Sequence, residues 1–573
     1  MEDNEFKYTP LESASPEIRI LSVTRSSAIE LECHLEHTSL EDDSTYEALS
    51  YTWGDRSDML SIKLNNRHFK VGRNLARALE HLCEGGRTLK IWVDAVCINQ
   101  QDEAEKSVQV SQMKKIYEKA QKIVIWLGPE SDDSSYAINV MNSVDRHWAT
   151  RTSQLATHSM PVPAINERAL QAIIRLLCRP WWRRVWIIQE ATCASDTYLR
   201  CGKDQTEFWR VVAVVKFITQ YTIQHIFKQD FKHLDIAHFL RVIALDQLKL
   251  TGRRSGHGSN LLVLLDNART CEASDPRDKI FALSGLAVDA HREAGEPDYT
   301  KPIDEVYMKF TYALITSERT LDVLGHCQAA ARTPQSWSNF DFLPSSFHPK
   351  CTLPSWTADW TLGLEATPLM KNTIPYEALS NKVYKASDNY APSVKLADGL
   401  RTLFVRGVVV DTVLKLGEAF DLPFNPSILG KWHSWAETEL GKVYHRNETT
   451  HEAFLRTLVA DTRVERGRCL RDSAAPWPVQ NKQDGKESFI SSSLINHAVN
   501  SRGFFLSGQG YMGLARYDVM KGDKICILHG GQIPFILRQD GRYHLFKGEC
   551  YVHGLMDGEG MRHPWVWQDF ALR

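Results

Sequence analysis

At 573 residues the chain is too long for one hydrophobic core, and its 43% hydrophobic and 24% charged content is that of an ordinary globular protein with several domains. A formal net charge of −2, with no block of like charges, offers no electrostatic footprint for nucleic acid. No uninterrupted apolar run reaches the roughly eighteen residues that a membrane span requires. The opening MEDNEFKYTPLESASPEIR has neither an apolar signal core nor an arginine-rich amphipathic pattern, so a cytoplasmic location is expected. The 12 cysteines are scattered with no C-x-x-C pair, which predicts neither a structural metal nor a disulfide framework.

Residues 1–40 read as a lead segment. Tyr46–Ser50 then reads as a short buried strand, and Tyr51-Thr52-Trp53-Gly54-Asp55 follows with no helical or alternating period, as a loop at a strand's C-terminal end. Ser61–Val71 alternates around the turn-prone pair Asn65-Asn66 and predicts a hairpin. Leu75, Ala78, Leu79, Leu82 and Cys83 share one helical face, which Gly85-Gly86 closes. TLKIWVD predicts a strand ending at Asp94, with a loop through Asn99 to Asp102. A helix from Glu103 to Ala120 and a buried strand KIVIWLG follow. Strand, helix, strand, helix, strand with short connections predicts an α/β domain with a flavodoxin-like parallel sheet.

In such sheets the C-terminal strand ends carry the ligand crevice, so Tyr51, Trp53, Gly54, Asp55, Asp94 and Asn99 are candidate pocket residues. Asp94 there can bind a ribose hydroxyl or simply cap its loop, and Trp53 can wall a pocket or plug the core. An amphipathic helix over Glu167–Cys178 stops before Arg179-Pro180. PWWRRVWIIQE comes next, dense in tryptophan and arginine. If residues 181–194 form one helix, Trp186 and Glu190 share a face at i and i+4, with Arg183 one turn earlier. A glutamate beside indole rings can have its ionisation tuned by desolvation, and an arginine restores the charge; equally, an Arg-Glu pair can lock the helix in place.

Residues 206–384 read as mainly helical. Asp275-Pro276-Arg277-Asp278-Lys279 is expected to be a helix N-terminus with local ion pairs, and the Pro- and Trp-rich stretch over 331–360 a wrapped connection. From 385 to 573 the pattern turns β-rich and barrel-like, interrupted by a helical, polar insertion at about 425–497. Gly508-Gln509-Gly510-Tyr511-Met512-Gly513 satisfies G-x-G-x-x-G, but the residues after it read as strand, turn and strand rather than a helix, against a dinucleotide site.

YEALSYTWGD, IWVDAVCINQQD, the helix through Gln112–Tyr117, IVIWLG and RPWWRRVWIIQE together resemble the heterokaryon-incompatibility (HET) domain of fungal self/non-self recognition proteins, over 41–205. DPRDKIFALSGLA, LPSWTADWT and the tail from RGFFLSGQGYMGLA to GECYVHGLMDGE resemble segments that accompany it. That family is distantly similar to TIR domains, some of which cleave NAD with a glutamate in a W-C-x-x-E helix. Trp186-Ile187-Ile188-Gln189-Glu190 keeps the spacing but has Ile187 in the cysteine position. The resemblance implies an NAD glycohydrolase with Glu190 as catalytic carboxylate. Tyr51, Trp53, Gly54, Asp55, Asp94, Asn99, Trp186 and Arg183 or Arg184 would line the site, with NAD as substrate and no cofactor. The alternative it leaves open is an inactive module that signals through homotypic assembly or an incompatibility partner.

Overall fold

In the computed structural model the chain divides into two compact units, Met1–Lys301 and Pro302–Arg573. The residues described are 5–12, 16–25, 31–55, 57–83, 88–144, 165–193, 196–225, 237–255, 260–287, 295–327, 353–363, 366, 368–369, 384–419, 426–445, 448–465, 468–470, 495 and 498–573.

The first unit is built on a nine-stranded sheet: β1 (Glu17–Arg25), β2 (Leu31–Ser39), β3 (Glu47–Tyr51), β4 (Met59–Leu64), β5 (Arg67–Gly72), β6 (Leu89–Trp92), β7 (Lys122–Trp126), β8 (Thr197–Cys201) and β9 (Asp204–Glu207), in the order β5-β4-β2-β1-β6-β3-β7-β8-β9. Its centre, β6-β3-β7-β8, is parallel throughout, with Ala48 opposite both Trp92 and Ile123. The earliest of these four strands lies second in the row, the start of a flavodoxin-like order. All five residues of β3 are buried, Glu47 and Ser50 included, which is why the strand shows no polar–apolar alternation.

The sheet is mixed rather than wholly parallel. β1 runs antiparallel to both β6 and β2, and β9 antiparallel to β8. The lead segment thus supplies two full strands that the sequence pattern concealed. In β1 the cause is Arg19, fully buried and interrupting the apolar run, with its guanidinium held by Glu105 at 2.7 Å and 2.9 Å and by the Cys97 carbonyl. The hairpin around Asn65-Asn66 forms as expected, both asparagines taking the left-handed conformation of a tight two-residue turn.

Helices cover the sheet where the apolar periodicity placed them. Arg73–Leu82 buries Leu75, Ala78 and Leu79. Glu103–Lys119 is capped by the Asp102 carboxylate, which accepts from the Ala104 and Glu105 amides, and buries Val110, Met113, Ile116 and Tyr117. Glu167–Leu177 is capped by Asn166. After Asp94 the chain makes a single helical turn, Asp94–Cys97, instead of an irregular loop. Helices Ser134–Asn142, Phe208–His225, Ala237–Ser255, Leu261–Ala268 and Asp278–Ser284 complete the unit. Arg277 precedes the last of these and pairs with Asp275 at 2.7 Å, the local ion pair expected there. The Gly85-Gly86 stop, the polar loop at 145–164 and most of the Pro/Trp-rich connection lie outside the described residues.

The second unit opens with helix Ile303–Glu318 and continues into a β-structure: β10 (Val394–Ala397), β11 (Thr402–Ala419), the small pair β12 (Arg463–Glu465) and β13 (Arg468–Leu470), then β14 (Arg502–Ser507), β15 (Met512–Arg516), β16 (Lys524–Leu528), β17 (Phe535–Asp540), β18 (Tyr543–Val552) and β19 (Gln568–Leu572). β11 is long enough to serve two neighbours, pairing with β16 over Gly407–Thr412 and with β14 from Val413. The circuit β11-β14-β15-β18-β17-β16 therefore returns to β11 and closes a six-stranded antiparallel barrel, filled by Val408, Val410, Phe505, Ile525, Ile527 and Val552 among others. Helices Pro426–Leu440 and Thr450–Leu458 are inserted between β11 and β14, the second with a Thr449/Glu452 capping box. The G-x-G-x-x-G run is the hairpin joining β14 to β15, with no helix beginning there.

Gly513 in β15 shows how tightly this barrel is packed. A Cβ there would lie 2.3 Å from the Phe505 ring and 2.5 Å from the Tyr551 carbonyl oxygen. Gly513→Ala is expected to cost about 1–3 kcal/mol by overpacking, read as a lowered urea midpoint for the second unit. Among the described residues no helix is long and apolar enough to cross a membrane.

Candidate functional site

Glu190 sits in the short helix Ile187–Cys193 and is 1% exposed. Its carboxylate accepts a hydrogen bond from the hydroxyl of Ser50, the penultimate residue of β3, and the Ser50 oxygen in turn accepts from the Trp181 indole at 2.6 Å. Arg184 stands 3.5 Å from the same carboxylate and also donates to the Tyr51 carbonyl. The carboxylate of the tryptophan-rich stretch and the end of β3 therefore meet directly, across 140 residues of sequence.

Around this centre lie Asp94, Trp53, Tyr51 and Tyr117. The Trp53 indole donates to Asp94 Oδ2 at 3.0 Å, and the Ala95 amide donates to Oδ1 at 2.7 Å, so the aromatic loop after β3 is fastened to the turn after β6. Tyr117 donates to the Leu49 carbonyl. Ser50, Tyr51, Tyr117 and Trp181 are buried, whereas Trp53, Asp94 and Arg184 are only half-buried. Solvent reaches the cluster from the Trp53–Asp94–Arg184 side.

The electrostatics follow from two carboxylates sharing one guanidinium in a desolvated place. Burial pushes the Glu190 carboxyl above the usual range, opposed by Arg184 and by the Ser50 hydrogen bond, with Asp94 adding to the rise. Burial likewise raises Asp94, against Arg184, Trp53 and the Ala95 amide. For Arg184 burial acts downward, but Glu190 and Asp94 outweigh it and hold the guanidinium firmly charged. The Tyr51 and Tyr117 phenols are pushed well up by burial. Two carboxyls pushed upward by burial beside one guanidinium and aromatic rings are the kind of arrangement that acid–base or electrostatic catalysis uses, and ion-pair networks that merely brace a fold share it.

The remaining residues singled out in the sequence take other positions. Residues 181–194 are not one helix. Pro180–Arg183 is a 3-10 turn, Arg184 is extended, and the helix restarts at Ile187. The break exists because residues 183–185 pair with Glu272: the Val185 amide donates to the Glu272 carbonyl at 2.9 Å and the Glu272 amide to the Arg183 carbonyl at 2.5 Å. It turns the side chain of Arg183 toward Glu272, 3.4 Å away, and leaves Arg184 to pair with Glu190. The Trp186 indole hydrogen-bonds Asp278 rather than Glu190. Asp55 is exposed and accepts from the Ser57 amide within its own loop. Gly54 is exposed at φ +77, where a side chain would be strained. Asn99 accepts from the Gln101 amide while its own amide donates to Glu105. Sequence reasoning missed Ser50 and Trp181, because a hydroxyl inside a buried strand and one indole among three carry no spacing signal of their own.

Comparison with known proteins agrees with this architecture. Residues 46–190 match the family described as heterokaryon incompatibility protein (HET), and residues 474–570 match the Het-6 beta-barrel domain. Over 97% of its length it is 24% identical to "Heterokaryon incompatibility protein 6, OR allele" of Neurospora crassa, 96% of which is covered. No solved structure matches the chain. The first match ends on Glu190 itself. β11, which closes the barrel, precedes the second.

Proposed function

We propose that this protein acts in fungal self/non-self recognition and that its first unit hydrolyses NAD at the nicotinamide–ribose bond, with Glu190 as the catalytic carboxylate. The observation that carries the reading is the meeting of a buried, guanidinium-paired Glu190 with the aromatic end of β3, beside the half-exposed Trp53 and Asp94. Cleavage of this bond passes through an oxocarbenium-like state. Nicotinamide leaves neutral with the bonding electron pair, water adds its oxygen to the ribose carbon, and one proton is released to solvent. Glu190 offsets the positive charge developing on the ribose and accepts from a ribose hydroxyl in place of Ser50. Trp53 stacks on a ring of the dinucleotide, and Arg184, the arginine that faces Glu190, takes the pyrophosphate.

The test is to incubate purified protein with NAD, with and without a crowding agent that promotes assembly, and to measure free nicotinamide for wild type, Glu190→Ala and Trp53→Ala. Release by wild type that Glu190→Ala abolishes supports the enzyme. Absence of release in every assembly state ends the reading.

One observation favours a second reading. Glu190 is already satisfied by Ser50 and Arg184 at 1% exposure, as a residue bracing a fold would be. On that reading the unit is an inactive interaction module that signals through assembly or a partner protein. It is supported if cell-killing activity survives Glu190→Ala.

A further inference from the structure

The geometry of the Glu190 cluster depends on a segment far outside the residues that matched the HET family. Arg184 reaches Glu190 only because the chain is extended between the 3-10 turn and the Glu190 helix. A continuous helix through this region would set Arg184 and Glu190 six residues, or about 240°, apart around the axis, on different faces. The interruption is fixed from outside. Glu272 gives and takes a backbone hydrogen bond with Val185 and Arg183, Arg241 donates to the Trp182 carbonyl at 2.7 Å, and Asp278 faces the Trp186 indole.

Asp278 is itself anchored. Tyr299 donates to its Oδ1 at 2.6 Å, and the Tyr299 ring lies under the Lys106 ammonium at 3.8 Å while its amide donates to Ser107. Ser107 and Lys106 belong to the helix Glu103–Lys119, which also carries Tyr117. A closed path thus runs from Glu190 through Trp186, Asp278 and Tyr299 back to the helix packed beside Glu190.

We infer that Glu272, through its backbone, and Asp278, through its carboxylate, are positioning residues that hold the interruption at residues 183–186 and thereby aim Arg184 at Glu190. The working site therefore extends to about residue 299 and is incomplete in any fragment that stops near residue 205. Its link to chemistry rests on the function proposed above, but the geometric claim does not, because it can be read without any substrate.

Hydrogen exchange on the full chain separates the two. In Glu272→Pro, which removes the donor to Arg183, and in Asp278→Ala, the amides of residues 184–191 are expected to exchange about tenfold faster than in wild type. Those of Lys122–Trp126 in the central sheet should be unchanged. Glu272→Ala, which removes only the part-buried ion pair with Arg183, and Asp278→Asn, which keeps an acceptor oxygen for the Tyr299 hydroxyl, should behave as wild type. Should Glu272→Pro fail to fold, Asp278→Ala and Tyr299→Phe carry the test. Unchanged exchange over 184–191 with the fold intact overturns the inference, whereas loss of nicotinamide release in Glu190→Ala bears only on the enzyme reading. If release is measurable, Asp278→Ala should lower kcat while KM stays near its wild-type value, and Asp278→Asn should restore it.

Discussion

Arg184→Ala is expected to lower the stability of the first unit by about 3–5 kcal/mol at neutral pH, the usual cost of stranding a buried charge. The guanidinium is the strongest influence holding the Glu190 carboxyl down against burial, and it also satisfies the Tyr51 carbonyl. Without it, Glu190 must either stay ionised and unpaired at 1% exposure or take up a proton. Glu190→Gln keeps the acceptor for Ser50 and removes the charge, so it should cost less. The double variant should lose less than the two singles added together, with a coupling of about 1–3 kcal/mol. Urea unfolding followed by tryptophan fluorescence reads all three. Because protonation relieves the stranded charge, the penalty of Arg184→Ala should shrink as the pH falls. A loss below about 1 kcal/mol at neutral pH would mean that the pair is not the charged contact described here.

The second large effect lies in the barrel. Arg502 and Glu549 form an ion pair at 2.9 Å with both side chains at or below 5% exposure, and the Leu369 amide donates to the same carboxylate oxygen. Burial wins on both sides. It pushes the Glu549 carboxyl up to about 7 against the pull of Arg502, and it lowers Arg502 despite Glu549. The folded state therefore holds the Glu549 proton more tightly than the unfolded chain does. The stability this contributes is fully present below the unfolded value of about 4.3 and is lost as the pH rises through about 7, a span of about 4 kcal/mol. Wild type should accordingly lose stability relative to Glu549→Gln between about pH 4 and pH 7, with the variant flatter. His529 and His544 are shifted down by partial burial and act in the opposite sense, but they are common to both proteins and cancel in the difference. Removing the guanidinium with Arg502→Leu should move the transition to still higher pH. A difference between wild type and Glu549→Gln that does not change with pH would show that the carboxylate is ionised throughout.

Much of this architecture could be read from residue pattern, and the exceptions have identifiable physical causes. The parallel centre of the first sheet was legible because β3, β6 and β7 are short, largely buried segments without alternation, set between helices of clear period. β1 was not, because Arg19 sits in the middle of it and is made tolerable only by Glu105, 86 residues away. The encounter of Glu190 with the end of β3 was an expectation of the family resemblance alone, since neither composition nor spacing joins two segments 140 residues apart. Which arginine faces Glu190 was not legible, since the answer is set by a backbone pairing with Glu272 that no local pattern encodes. Asp275–Lys279 was rightly read as a helix start with a local ion pair. Its reach to Trp186 depends on tertiary packing.

The long strand β11 carries a consequence for how the second unit comes into being. Its hydrogen-bonding edges are completed only by chain that lies about 80 to 170 residues downstream: β14, β16 and finally β19, where Leu403 meets Leu572. During synthesis that ribbon must wait, with Val408 and Val410 uncovered, until β14 and β16 have been made, while the intervening Pro426–Leu440 and Thr450–Leu458 helices can form from local contacts. A chain lacking β19 would leave the Leu403–Gly407 stretch of β11 with an open, adhesive edge.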